Sequence, residues 1–183
     1  MTNAGVDASH HDKLVVLESD RLLPKNYFAK TLAQLREGVM FTCRQMRKLT
    51  KPTTDEEIVA GHFEWTNDNR SVTNELGIKN MWSGNTTCMR SDFYRVGKID
   101  EIYMGYGWTD SDMTMTMEKA GIKSIFNEED IELHLWHPGI THGIEDQKQL
   151  FIDNGLRYCE KWGVDIPPFL RKEIQLHSKN LMI

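Results

Sequence analysis

Residues 13–20 spell KLVVLESD, a short apolar run that ends in two carboxylates. A run of this length and hydrophobicity predicts a buried strand from Lys13 to Leu17. Glu18 and Asp20 then lie at the carboxyl end of the strand, where open α/β sheets place their ligand crevices. Two carboxylates two residues apart can share a hard divalent cation, Mn²⁺ or Mg²⁺. The spacing is equally compatible with Asp20 acting only as a helix cap.

Apolar spacing beyond this run predicts short strands that alternate with helices. Residues 43–57 are polar, and Thr54–Glu57 have the spacing of a capping box. One predicted helix carries Phe28, Leu32, Leu35 and Val39 on one face, and two others span 110–120 and Glu145–Trp162. The predicted strands are Ile58–Trp65 with a bulge at Gly61, Trp82–Met89, Lys123–Phe126 and Ile131–Leu135. This order indicates an α/β fold with a mixed sheet flanked by helices. We expect one domain over 1–183, with a core at 3–140 and a C-terminal helical segment at 145–183.

Composition narrows the classes of partner and compartment. The 183 residues carry a net charge of −5, which disfavours a nucleic-acid partner. Hydrophobic residues make up 39% and charged residues 27% of the chain, which is ordinary for a globular domain and argues against disorder. The three cysteines are widely spaced, so neither a disulfide framework nor a cysteine zinc site is expected. Since no apolar run approaches the roughly 18 residues of a membrane helix and the N-terminus lacks a signal-peptide layout, we expect no membrane span and a cytoplasmic location.

Residues 104–121 spell MGYGWTDSDMTMTMEKAG, a glycine- and aromatic-rich turn that leads into a polar helix. Glycine in the turn permits unusual backbone shapes and close approach of a bulky partner. Tyr106 and Trp108 offer flat rings of the kind that stack on sugars. Asp110 and Asp112 fall at the helix start, where a carboxylate caps free amides and is favoured by the dipole. One such aspartate can also serve as a general base toward a bound hydroxyl.

Histidines cluster near the end of the last predicted strand. His134 and His137 are three residues apart, and His142 follows shortly after. Neutral imidazole is a good ligand for Mn²⁺ or Zn²⁺. For any single one of these histidines, a structural or surface role is the commoner alternative.

In three blocks the chain resembles the nucleotide-sugar glycosyltransferases of the GT-A fold, particularly family 2 and the related galactosyltransferase C-terminal domains. The first block is Asn3–Val6 followed by LVVLESDRLLPKNYF at Leu14–Phe28, which is similar to the segment that leads into the metal motif of the family. The second is SGNTTCMRSDFYRVGKIDE at Ser83–Glu101, and the third is GYGWTDSDMTMTMEKAG at Gly105–Gly121. Their order and spacing match the family and cover most of residues 3–140.

The resemblance implies a metal-dependent sugar transfer from a UDP-sugar to a glycan hydroxyl. Asp20 would bind the cation that bridges the two phosphates, with Glu18 assisting and His137, together with His134, completing the shell. Asp110 would take the proton of the acceptor hydroxyl, which implies inversion at the anomeric carbon. The remaining donor- and acceptor-binding residues implied by the resemblance are Gly84, Asn85, Tyr106, Gly107, Trp108, Thr109 and Asp112.

Three departures from the family pattern shape the alternatives. The metal motif is Glu18-Ser19-Asp20 in place of Asp-x-Asp, and the usual Glu-Asp pair is Thr109-Asp110. Only two residues precede Asn3, where the family has strand–helix units that hold the nucleotide, so we expect an N-terminally truncated sheet. Three alternatives follow: the sequence is a fragment, a partner chain or second copy supplies the nucleotide-binding half, or donor binding has been lost. A non-catalytic sugar-binding or assembly module is the first alternative function, and a metal-dependent hydrolase is the second.

Overall fold

The KLVVL run forms strand β1 at one edge of a six-stranded mixed sheet in the computed structural model, which describes residues 2–67, 84–138 and 145–180. The strands are β1 (Lys13–Leu17), β2 (Arg21–Leu22), β3 (Val39–Leu49), β4 (Trp65–Asn67), β5 (Asn85–Met89) and β6 (Lys123–His134). The helices are α1 (Thr2–Ala8), α2 (Tyr27–Gln34), α3 (Asp55–Ala60), α4 (Arg90–Arg95), α5 (Thr109–Lys119), α6 (Glu145–Trp162) and α7 (Pro168–Asn180).

The sheet has the strand order β1-β5-β3-β6-β2, and β4 pairs with β3 off this path. β5 is antiparallel to both β1 and β3, whereas β3 and β6 are parallel. The carboxyl ends of β1, β3 and β6 therefore meet at the same edge of the sheet, which we call the carboxyl edge. β2 runs antiparallel to β6 and pairs Arg21 with His134 at this edge. The predicted mixed sheet is confirmed.

Successive side chains of β3 point to opposite faces of the sheet, and helices cover both faces. Met40 points into a core with Phe93 of α4 and with Met113 and Met117 of α5. The neighbouring Phe41 lies in a second core on the opposite face, which α2 covers. The predicted layers of an α/β fold are thus present.

Helix α5 follows the expectation for residues 110–120 closely. Met113 and Met117 are both almost fully buried, the i, i+4 spacing of a helix face. The first turn holds Asp110 and Asp112, and the turn after the helix contains Gly121 with a φ of +77°. The predicted helix over 110–120 is confirmed.

Helices α6 and α7 form the C-terminal helical part and pack on the turn that precedes α5. The third core contains Tyr103 and Trp108 of that turn, with Tyr158 of α6 and Leu170 of α7. The bounds predicted for α6 are confirmed. No helix in the described ranges combines the length and apolar character needed to cross a membrane.

Several element boundaries differ from expectation for identifiable reasons. The strand predicted over Ile58–Trp65 is wrong, because the capping box at Thr54 starts α3 and Gly61 ends it with a left-handed residue. Leu35 leaves α2 with extended geometry, so Val39 begins β3 and is not on the helix. Strand β3 also continues to Leu49, through part of the polar segment.

The two short strands predicted at Lys123–Phe126 and Ile131–Leu135 are one long strand. β6 pairs with β3 over Val39–Lys48, with a register shift between Cys43 and Gln45. This irregularity accommodates the polar residues 127–130, whose sequence resembles a turn. Trp82 lies outside the described residues, and β5 as described begins at Asn85.

Candidate metal and sugar site

Asp20, His134 and His137 meet at the carboxyl edge. Asp20 ends the turn after β1, His134 is the last residue of β6, and His137 lies three residues further on. The backbone N–H of Leu135 donates to the Asp20 carbonyl at 2.8 Å, which fixes the turn beside the end of β6. Nε2 of His134 and Nε2 of His137 lie 3.1 Å and 3.2 Å from Oδ2 of Asp20, and 3.1 Å from each other.

The donor set fits a divalent cation. Three ligand atoms with edges of 3.1–3.2 Å form nearly an equilateral triangle. If this triangle is one face of an octahedron, the centre of the octahedron lies at the edge divided by √2, about 2.2 Å, from each ligand atom, a suitable distance for a first-row metal bound by imidazole and carboxylate. Nδ1 of His137 lies 2.9 Å from the Pro138 carbonyl. A proton held there directs the Nε2 lone pair toward Asp20, the arrangement usual for metal-ligating histidine.

The charge state of His134 also suits ligation. Burial lowers the pKa of His134 and the nearby Arg21 charge lowers it further, while the Asp20 carboxylate acts in the opposite direction. The net direction is downward, so the imidazole is neutral at neutral pH. Neutral imidazole is the form that binds metals.

Glu18, the other carboxylate of the motif, points to a buried arginine. Its Oε2 accepts from Nε and Nη2 of Arg21 at 3.0 Å and 2.9 Å, a two-pronged contact. Arg21 also lies 3.4 Å from Oδ1 of Asp20 and 3.4 Å from the fully buried carboxylate of Glu132. The group of His and acidic ligands that converges here contains Asp20, His134 and His137 but not Glu18. Arg21 is therefore an electrostatic neighbour of Asp20, whose Oδ1 accepts no hydrogen bond from the described residues.

Gly84 and Asn85 support this edge from within the sheet. The Gly84 carbonyl accepts from the backbone N–H of Glu18 at 2.9 Å. Asn85 is fully buried; its Oδ1 accepts from the Tyr27 hydroxyl at 3.0 Å, and its amide donates to Glu132. These contacts give Asn85 an interior role next to the metal motif.

Sequence reasoning did not select Arg21, Glu132 or Tyr27, although they complete this polar network. One available signal was the spacing Asp130, Glu132, His134, which places three polar side chains on one face of a strand. All three are buried. Buried polar side chains at period two indicate a polar interior beside a functional edge.

Helix α6 packs closely against the two glycines of the 104–108 turn. A Cβ on Gly105 would lie 2.7 Å from Leu150, and one on Gly107 would lie 2.5 Å from Phe151. Both residues have positive φ, +71° and +87°. The expected close approach of a bulky partner is therefore present, and that partner is a helix of the same chain.

Trp108 is packed in the third core rather than laid open. It is 7% exposed; its ring stacks on Phe169 at 5.8 Å and contacts Tyr158 at 5.1 Å. Gly155 makes room for it, since a Cβ there would lie 2.8 Å from the indole. Tyr106 in contrast is 43% exposed, so it is the ring of the pair that a ligand can reach in this structure.

Thr109 and Asp110 are the first residues of α5. The backbone N–H of Ile122 donates to the Met117 carbonyl at 3.0 Å, closing a tight turn that joins the end of α5 to the start of β6. Asp110 is half-buried, and Thr109 lines a cavity of about 390 Å³ beside Tyr103.

Asp112 ties α5 to α6. Its Oδ1 accepts from the Tyr103 hydroxyl at 3.0 Å and from Nε1 of Trp162 at 2.8 Å, and its Oδ2 accepts from Nζ of Lys161 at 2.9 Å. Asp112 is 3% exposed, and it contributes to the wall of a cavity of about 680 Å³. Burial and the Asp112 charge raise the pKa of Tyr103, so this hydroxyl stays protonated as a donor. The third predicted histidine, His142, lies outside the described residues.

Comparison with known proteins supports the fold. No protein-family model and no curated protein sequence matches this chain. Among solved structures, one similar chain is the crystal structure of GalNAc-T7 with UDP, GalNAc and Mn²⁺, with a TM-score of 0.60 and 12% sequence identity. The similarity covers 87% of this chain and 33% of that chain. At this identity it establishes a GT-A-like fold, and this chain spans a third of the length of that neighbour.

Proposed function

We propose that this protein is a metal-dependent glycosyltransferase that moves a sugar from a UDP-sugar to a hydroxyl of a glycan acceptor. The observation that carries the proposal is the convergence of Asp20, His134 and His137 on one point at the carboxyl edge. The similarity in fold to a protein crystallised with UDP, GalNAc and Mn²⁺ supports the choice of cofactor and donor.

Asp20, His134 and His137 would hold Mn²⁺ or Mg²⁺ through one carboxylate oxygen and two imidazole nitrogens. When bound, the cation offsets the negative charge of the departing nucleoside diphosphate. The positive charge of Arg21, 3.4 Å from Oδ1 of Asp20, attracts that oxygen and so favours the orientation in which Oδ2 faces the histidines. Glu18 contributes by orienting Arg21, which revises its expected part as a ligand.

Asp110 is the proposed general base. Its place in the first turn of α5 favours the ionised carboxylate through the helix dipole. The acceptor oxygen attacks the anomeric carbon as the bond from that carbon to the diphosphate oxygen breaks, and the hydroxyl proton passes to Asp110. A positioned base typically contributes 10²- to 10⁴-fold in rate. Direct displacement of this kind inverts the anomeric centre.

The test is a transfer assay with a panel of UDP-sugars, Mn²⁺ and mixed oligosaccharide acceptors, followed by NMR of the anomeric proton. We expect an inverted product from the natural chain and at least a 10²-fold slower reaction from Asp110→Asn. Asp55→Asn is the matched control, because Asp55 is also an acid in the first turn of a helix. A retained product, or full activity in Asp110→Asn, would reject Asp110 as the base.

One observation favours a second candidate, a non-catalytic sugar-binding module. Asn85, Trp108 and Asp112 were assigned to donor or acceptor binding, and all three are buried in internal contacts. A chain that binds UDP with Mn²⁺ and binds saccharide, yet transfers no sugar from any donor of the panel, would favour this candidate over the enzyme.

A further inference from the structure

A cavity of about 490 Å³ lies between α6, α7 and the turn that precedes α5. Its volume falls within the range of small-molecule sites. Its lining combines aromatic and aliphatic side chains with an amide, an ammonium and a carboxylate: Tyr106, Gln147, Lys148, Phe151, Phe169, Glu173 and Leu176.

The aromatic part of the lining is a supported platform. Tyr106 stacks on Phe151 with ring centroids 6.1 Å apart and an interplanar angle of 28°. Phe151 in turn contacts Phe169 at 6.3 Å. Because Trp108 stacks behind Phe169 at 5.8 Å, the rings are held in place from the interior. The ring of Tyr106 is therefore backed by packed aromatic rings, while 43% of the residue is exposed.

The polar part of the lining suits a partner with hydroxyl groups. Oε1 of Gln147 is closed to solvent, so the groups open to a ligand are the charged ends of Lys148 and Glu173. Glu173 accepts and Lys148 donates, so the cavity presents both kinds of group next to aromatic rings. A saccharide matches this mixture, since each ring has apolar C–H faces and hydroxyls that donate and accept.

The cavity also lies near the metal cluster along the chain. Gln147 is in the first turn of α6, which begins at Glu145, eight residues after His137. Tyr106 precedes Asp110, the proposed base, by four residues. Both walls of the cavity are therefore close in sequence to residues of the proposed reaction site.

We propose that this cavity binds a saccharide, with one sugar ring stacked on Tyr106 and its hydroxyls bonded to Lys148 and Glu173. Its identification as a subsite for the acceptor glycan, outside the bond that is formed, rests on the proposed function. The site uses helices α6 and α7, so it gives the C-terminal helical part a role in selecting the acceptor.

Saturation-transfer NMR and calorimetry test the site on the full chain. The probes are the methyl α- and β-glycosides of glucose, galactose and N-acetylgalactosamine, in EDTA and without nucleotide. We expect binding of at least one probe, weakened about tenfold or more in Tyr106→Ala, because the stacked apolar face is lost. Glu173→Gln is expected to weaken it as well. Tyr94→Ala is the matched control, since Tyr94 is 38% exposed and belongs to α4, away from the cavity.

The outcomes separate this inference from the proposed function. Binding that is lost in Tyr106→Ala and kept in Tyr94→Ala supports the site, whether or not the chain binds UDP. No binding of any glycoside, or equal affinity in Tyr106→Ala and the natural chain, overturns it even if UDP binds with Mn²⁺. Circular dichroism of each variant checks that the fold is retained, and Glu173→Gln, which keeps the side-chain volume, gives an independent reading if Tyr106→Ala unfolds.

Discussion

Replacing Asp112 by alanine tests whether this carboxylate holds the fold together or only faces a ligand. The substitution removes the acceptor of three donors at 2.8–3.0 Å. Lys161 is 38% exposed at its side chain and can turn to water, so its loss adds little. The Tyr103 hydroxyl and Trp162 Nε1 are left without their acceptor, at about 2 kcal/mol for each buried donor. We therefore expect Asp112→Ala to lower the free energy of unfolding by about 4 kcal/mol.

Urea unfolding followed by tryptophan fluorescence measures this loss, and a thermal scan should show a Tm lower by roughly 8–16 °C for a chain of this size. Asp112→Asn is the control, because it keeps an oxygen for Tyr103 and Trp162 and removes only the charge toward Lys161. It should cost about 1 kcal/mol. If Asp112→Ala unfolds within about 1 kcal/mol of the natural chain, the structural role assigned to this carboxylate is refuted.

Three further predictions concern the turn and the metal cluster. Gly107→Ala should destabilise the fold by roughly 2–4 kcal/mol in urea unfolding, since it combines a positive φ with a clash against Phe151. Gly97→Ala is the control: its φ is +84° with open space around it, so it should cost only about 1–2 kcal/mol. Equal losses in the two variants would contradict the packing argument. Arg21→Lys should weaken Mn²⁺ binding about 10- to 100-fold in an electron paramagnetic resonance titration, because the arginine orients a ligand; unchanged affinity would remove that role. The pKa of His134 lies below its ordinary 6.5 because of burial. Mn²⁺ binding should therefore persist from neutral pH to somewhat below 6.5 and then fall as the imidazole protonates. Binding that strengthens on acidification would contradict ligation by His134.

The sequence predicted those elements whose signals are local. β1 is a compact apolar run, α5 has its methionines at helical spacing and ends before a glycine, and the capping box at Thr54 forms as its spacing indicates. The capping box also explains the wrong strand over Ile58–Trp65: the helix that it starts continues to Ala60, so the local cap outweighed the weak strand pattern.

Long-range pairing explains what the sequence did not predict. Residues 127–130 look like a turn, but β6 continues through them because it pairs with β3 on both sides of the register shift, at Asn127 with Cys43 and at Ile131 with Gln45. Arg21 and Glu132 are 111 positions apart in sequence, so their contact depends on β2 lying next to β6. Of the candidate site, Asp20, His134 and His137 were predicted and are brought together, whereas Glu18 serves Arg21 instead.

The aromatic turn at 104–108 is a second place where the sequence pattern does not determine the contact partner. Glycine beside aromatic residues indicates close approach, but the pattern does not say to what. At Gly105 and Gly107 the partner is α6, and at Gly155 of α6 the partner is Trp108. The interlocking of two segments about 50 residues apart uses the features that a ligand site would use, and only the exposure of Tyr106 distinguishes the two.

The most direct test of the metal cluster at the centre of this account is a Mn²⁺ titration followed by electron paramagnetic resonance, with and without UDP. His134→Ala, His137→Ala and Asp20→Ala are compared with His62→Ala, whose histidine is exposed and outside the cluster. We expect one Mn²⁺ per chain, tighter binding when UDP is present, and loss of both in the three cluster variants alone. Mn²⁺ binding that is absent from the folded chain, or equal in His62→Ala and the three cluster variants, would contradict it.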